Sequence, residues 1–387
     1  MSDARERRNG VLAARIAGAL LLLPAIIGNA IDAPKPATAP APAPPAEAPK
    51  VDVVPTDEAA FYERLQFVTQ HRNLVGLKIG EDIFQSLARG TVDAAVTALS
   101  SQAAGGNRDA NIALVRVQHW CNHISSSRAV DIPAQLNKLA PVLPAARLSR
   151  VAGVLTAEKP FQERVRQSCR AASFDYQSIE TRLRDAAEAG DPPSATELAL
   201  FARDPAKRQS LLQQAADKNF PPAMQALATA RLIAVQRGET TENVASIRTL
   251  FKQAGRTLPK AKVDLANCMA LGCDGHPADA PTAAAFGIDA ARDGEPTAFL
   301  SMLRMPWGGR IPRVQLFAWQ YYGDRLNETG CTGDAYVVSA ISFAQVIAML
   351  EKGQGPKLIE QAKAQAEDLW RENSARAMRE QGCGEKP

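Results

Sequence analysis

The chain has 387 residues, 46% of them hydrophobic, and a formal charge of +4, enough apolar content to bury a large core. Residues 1–30 carry four Lys or Arg against two Asp or Glu, which leaves the remainder near +2. So nearly neutral a body argues against nucleic-acid binding, which calls for a strongly basic face.

Met1–Arg15 is basic through Arg5, Arg7, Arg8 and Arg15. Ile16–Ala30 follows as an apolar run broken by Pro24 and ending in Gly28-Asn29-Ala30. Basic head, apolar run and small-residue exit predict a secretory signal peptide over 1–30, with an uncleaved N-terminal anchor as the alternative. At about 15 residues the run is shorter than the ~20 a spanning helix needs. No Cys stands near its exit, as a lipoprotein anchor would require. Residues 31–55 form a linker, because Ala33–Lys50 is almost wholly Ala and Pro, the composition of an extended spacer of about 3.1 Å per residue. From Thr56-Asp57-Glu58, which suits a helix N-terminus, the periodicity is helical. Phe61, Leu65, Phe67 and Val68 form one stripe, Val75-Gly76-Leu77 marks a turn, and Ile83–Ala88 is a short helix.

A pattern then recurs. Gln213–Ala228 reads as the end of one helix, a tight polar turn and the start of the next, with Ala216 and Ala223 where two backbones approach closely. Related stretches place marker alanines at Ala103, Ala187, Ala216, Ala254 and Ala291, separated by 84, 29, 38 and 37 residues. The last two spacings suit a two-helix unit that buries its apolar face only by stacking on neighbours. The longest gap has room for a degenerate unit around Leu143-Pro144-Ala145-Ala146. Pro221, Pro259 and Pro296 suit the first turn of each second helix, where a missing N–H costs nothing. The pattern A-A-x-x-G-x-x-x-A-x-x-x-L resembles the Sel1-like repeat family, relatives of the tetratricopeptide repeats. Ala187/Gly190 and Ala291/Gly294 match it best, while Asn219 and Thr257 replace the turn glycine. The expected fold is an all-α, right-handed α-solenoid, with repeats over 56–311 and a C-terminal helical cap over 312–387. The cap's helices are expected at Val314–Leu326, Ala335–Glu351 and Lys357–Gln381.

Six cysteines in an exported chain favour three disulfides, among fifteen connectivities. The preferred pairing is Cys121–Cys169, Cys268–Cys273 and Cys331–Cys383. The last places Cys331 before one helix and Cys383 at the end of its antiparallel partner. Cys268 and Cys273 face each other across the loop ending a repeat, and Cys121–Cys169 follows mainly by elimination.

His119 and His123 share a helix face, but a zinc site needs a third ligand and an ordering second shell, so helix-end packing is the better reading. Cys268, Cys273 and His276 match no strong zinc spacing. No G-x-S-x-G elbow, S-x-x-K set or P-loop is present, so catalytic, cofactor-binding and metal-binding residues are all expected to be none. Trp307, Arg310, Trp319, Tyr321 and Tyr322 form an aromatic and Arg cluster of the kind enriched at binding hot spots. It serves either as a partner-binding anchor or as filling between the last repeat and the terminal helices. What the resemblance implies is scaffolding in signalling or envelope assembly. With the signal segment, the near-neutral body and the missing catalytic set, the expected role is a non-catalytic adaptor, periplasmic or secreted, with a protein partner in the envelope, no nucleic acid, and membrane contact only through an N-terminal anchor. A family-level link to β-lactams keeps an alternative open: an envelope hydrolase, or a β-lactam- or peptidoglycan-binding protein, using a groove between helices.

Overall fold

In the computed structural model the described residues are 55–74, 76–126, 131–239, 244–273 and 275–383. The expected signal segment and Ala/Pro-rich linker, up to residue 54, lie outside them. The five marker alanines each sit in the last turn of a helix and are at most 5% exposed. After four of them the chain makes the same turn. The third residue on takes a left-handed backbone: Gly106, Gly190, Asn219 and Gly294, with φ between 59° and 88°. The next N–H then returns to the carbonyl before the marker, as in Asp191 to Ala186 at 2.8 Å and Phe220 to Ala215 at 3.3 Å. This closes the carbonyls left open at a helix end. Asn219 is the one non-glycine described residue with positive φ, and Asn tolerates that region better than most residues. At Thr257 the problem is solved differently. The N–H groups of Thr257 and Leu258 both donate to the Ala254 carbonyl, at 3.1 and 3.0 Å, and no left-handed residue is needed.

Those turns join hairpins α3 (Val92–Ala104) and α4 (Arg108–Ser126), α7 (Tyr176–Glu188) and α8 (Pro192–Phe201), α9 (Pro205–Asp217) and α10 (Pro221–Gln236), α11 (Val244–Ala254) and α12 (Pro259–Leu271), and α13 (Ala280–Arg292) and α14 (Pro296–Arg304). Pro192, Pro221, Pro259 and Pro296 each open a second helix, as expected for three of them. The hairpins stack in order, and the described residues form seventeen α-helices, two short 3-10 segments and no strand. The fold is an all-α solenoid.

The long gap between markers is filled by something other than a repeat. Short α5 (Ile132–Leu139) leads into α6 (Ala145–Ala171), 27 residues long. This helix packs on α3, α4 and α1 (Pro55–Asn73), which α2 (Glu81–Ala88) joins to the first hairpin. The Leu143–Ala146 stretch is thus the turn before a long central helix.

The C-terminal helices are α15 (Arg313–Glu328), α16 (Tyr336–Lys352) and α17 (Pro356–Glu380), close to their expected spans. They cover the last repeat, through contacts of α15 with α14 and of α17 with α13, and they also reach back to the start of the chain. The 3-10 segment Gly333–Ala335 packs on α1, and α16 packs on α6. Gly333–Lys352 is long and apolar enough by composition to cross a membrane; here its Tyr336, Ala340, Phe343 and Ala344 enter the protein core. Arg72 of α1 fastens the meeting point. It donates to the carbonyls of Thr332 and Cys331 at 2.9 and 2.8 Å, and to the side chain of Gln381. Gln381 in turn donates to the Asp293 carbonyl at 3.0 Å. Arg147 of α6 makes a two-pronged pair with Asp324 of α15, at 2.6 and 2.7 Å.

The three disulfides are Cys121–Cys169, Cys268–Cys273 and Cys331–Cys383. The geometry behind the last differs from expectation. Helix α17 packs on α15 rather than in an antiparallel pair with α16, and the two run in the same direction: Tyr321 meets Lys363, Tyr322 meets Trp370, and Cys331 meets Cys383. Both cysteines therefore follow the C-terminal ends of parallel helices.

Candidate functional site

The aromatic cluster singled out from the sequence is not a surface. Trp307, Trp319 and Tyr322 are 0% exposed. The Trp307 indole lies against Gly287, where an added Cβ would come within 2.3 Å of the ring, and its Nε1 donates to Asn267 at 3.0 Å. Trp319 meets Tyr322 edge to face with centroids 5.5 Å apart. The half-buried Tyr321 donates its hydroxyl to Glu351 at 2.7 Å, and Arg310 alone of the five is exposed. These rings fill the seam between the last repeat and the terminal helices, because that seam is wide and only large side chains span it. The anchor reading is therefore corrected to the packing one.

The exposed large apolar side chains among the described residues lie elsewhere: Ile233, Val338 and Met349, and Tyr176, Leu200 and Phe201. The last three, 55%, 57% and 45% exposed, line two neighbouring concavities. The larger, of about 750 Å³, opens where α1, α4, α6 and α8 converge, a size typical of ligand sites. Each helix contributes one face at helical spacing: Tyr62, Gln66, Thr69 and Asn73; Arg116, His119, Trp120 and His123; Glu158, Phe161 and Gln162; Glu197, Leu200 and Phe201. Asp334, from the segment that closes on α1, completes it. The second, of about 500 Å³, runs between α4, α7, α8 and α9 past Leu183, Leu198 and Leu211, and shares Phe201 with the first.

The walls of the larger cleft are largely aromatic. Phe161 is buried, with Tyr62 at 5.6 Å edge to face and Trp120 at 6.4 Å. His119 meets Phe201 edge to face at 6.0 Å, at the rim of the cleft. Among the described residues no three His, Cys, Asp or Glu come together as metal ligands. Arg116 donates its Nε to Glu197 at 2.7 Å and its Nη1 to the Asn73 carbonyl at 3.0 Å. One cation thus neutralises a buried carboxylate and meets the negative end of α1.

Glu158 is treated differently. Its carboxylate accepts from the Gln162 amide at 2.8 Å and makes no ion pair among the described residues. Burial pushes its pKa up, and the Asp334 charge adds to that against the Gln162 hydrogen bond. The Tyr62 hydroxyl, on a residue only 6% exposed, is enclosed without a hydrogen bond of good geometry. Burial first, then the Glu158 charge, raises its pKa. The one aliphatic hydroxyl in the lining, Thr69, is engaged twice. It donates to the Leu65 carbonyl and accepts from the Asp334 N–H, both at 2.8 Å.

No protein-family model matches the chain, and no curated protein matches it. Among solved structures, a protective antigen of uropathogenic Escherichia coli displaying an SLR fold aligns over 85% of this chain and 88% of its own. The identity is 13% and the TM-score 0.29, a superposition too loose to transfer anything to this chain.

Proposed function

We propose that the chain is a non-catalytic, disulfide-stabilised helical scaffold of the bacterial envelope, holding a protein partner on the face formed by the cleft and its adjoining groove. The observation that carries this is the exposure of Tyr176, Leu200 and Phe201 along the lining of two adjoining concavities that share Phe201. Contiguous exposed apolar surface rimmed by polar groups marks an interaction site. Three disulfides suit an oxidising compartment, in line with the basic and apolar start of the sequence.

The hydrolase alternative has less support. The cleft lining contains no Ser, Cys or Lys, and its one aliphatic hydroxyl is already committed to backbone groups. Acyl transfer through a hydroxyl, thiol or amine nucleophile needs such a group within reach of a base.

In-cell crosslinking with a C-terminally tagged full chain tests the proposal, comparing wild type with the double variant Leu200→Asp/Phe201→Asp. The expected result is one dominant envelope protein recovered by wild type and lost by the variant. Identical recovery from both chains, or release of fragments from purified peptidoglycan by the wild-type protein, would overturn it.

A further inference from the structure

We infer that the larger cleft receives a lysine or arginine side chain of the partner polypeptide, seated among the Tyr62, Trp120 and Phe161 rings with its cation at Glu158. The inference rests on the partner-binding reading above and names the chemistry of what is bound.

Charge is the first argument. Three carboxylates line the cleft, Glu158, Glu197 and Asp334, against one arginine. That arginine, Arg116, is held by Glu197, while Asp334 has the electrostatic attraction of Arg72 behind it. Glu158 has a neutral amide for a partner and a like charge for a neighbour. A desolvated carboxylate in that position is stabilised by an incoming cation, and among the described residues Glu158 makes no ion pair, the nearby Arg164 lying over the Phe161 ring instead.

The second argument is the aromatic wall of the cleft, which fits the rest of such a side chain. Ring faces attract cations, and the methylene stem of Lys or Arg packs on apolar surface.

The third argument selects a polypeptide over a free amine. The cleft is larger than one side chain, and past Phe201 the concave surface continues over Leu183, Leu198 and Leu211. That path suits the residues flanking a basic anchor.

The test is an array of short random peptides, each printed in matched forms with Lys, Gln or Glu at the centre and probed with tagged, disulfide-intact full chain. Lys members are expected to bind roughly tenfold more strongly than their Gln partners, and Glu members least. Glu158→Gln, which keeps shape and removes charge, should erase the Lys preference and leave Gln-member binding unchanged. Equal binding of Lys and Gln members, a preference that survives in Glu158→Gln, or no binding to any member would each overturn the inference. The scaffold reading is judged separately: Phe201→Ser should weaken every matched form alike, and the crosslinking result stands whichever way the Lys preference falls.

Discussion

The middle of the solenoid and the place where its ends meet are held together by different means. From α7 to α12 the shared core is mostly alanine: Ala187, Ala195, Ala199, Ala215, Ala216, Ala223, Ala254 and Ala261, with Leu212, Met224 and Leu227. Backbones approach closely and backbone hydrogen bonds finish each turn. At the closure, side chains from remote parts of the chain interlock. Arg72 reaches carbonyls some 260 residues away, Arg147 reaches Asp324 across 177, and a disulfide clamps the ends of α15 and α17. Short-range repetition builds the first region, and polar specificity builds the second.

The strongest test of that contrast removes a clamp. Cys331→Ser/Cys383→Ser should lower unfolding stability by about 4 kcal/mol, from loop entropy over its 52-residue separation. The same change at Cys268 and Cys273, separated by five residues, should cost about 2 kcal/mol. Urea midpoints read both, and equal losses would break the comparison. Arg72→Met comes next. It keeps an apolar stem but strips the Cys331 and Thr332 carbonyls and Gln381 of their donor, for an expected loss of roughly 3 kcal/mol. A loss under about 1 kcal/mol would make the closure a passive contact. In the middle region Ala261→Leu, at a fully buried position, should cost about 1–3 kcal/mol by overpacking. A neutral result would mean the repeats are loosely stacked.

The smallest effect is the pH dependence of Glu158. Its folded-state pKa is raised by burial, so ionisation opposes folding, and the cost is fully present above the folded pKa. It disappears as pH falls below the ordinary Glu value. Glu158→Gln should therefore melt higher than wild type at neutral pH and lose that advantage on acidification. A constant difference across pH would place the effect elsewhere.

The same contrast decides how much could be read from sequence. The repeat turns were legible because A-A-x-x-G fixes a helix end, a left-handed residue and a second helix within about a dozen residues. Even the departure at Asn219 left an αL-tolerant residue in place. The gap before Ala187 was not legible, since a long helix and a degenerate hairpin share the same apolar spacing. The sequence left the aromatic cluster between two readings because composition marks a hot spot and a wide seam alike. Exposure separates them, and exposure at Trp307 depends on Gly287 and Asn267 in other helices. The cleft was half visible. Tyr62, Gln66, Thr69 and Asn73 lie on one helical face, as do Arg116, His119, Trp120 and His123, but only the closure brings those faces together with Asp334.

An open solenoid gains or loses units freely, because each touches only its neighbours. Here the rotation accumulated from the first hairpin to the last must return the carbonyls of Cys331 and Thr332 to within 3 Å of Arg72. One hairpin more or fewer would turn α15 and α17 away from α1, so the closure ties the count of hairpins to the contacts of a single arginine.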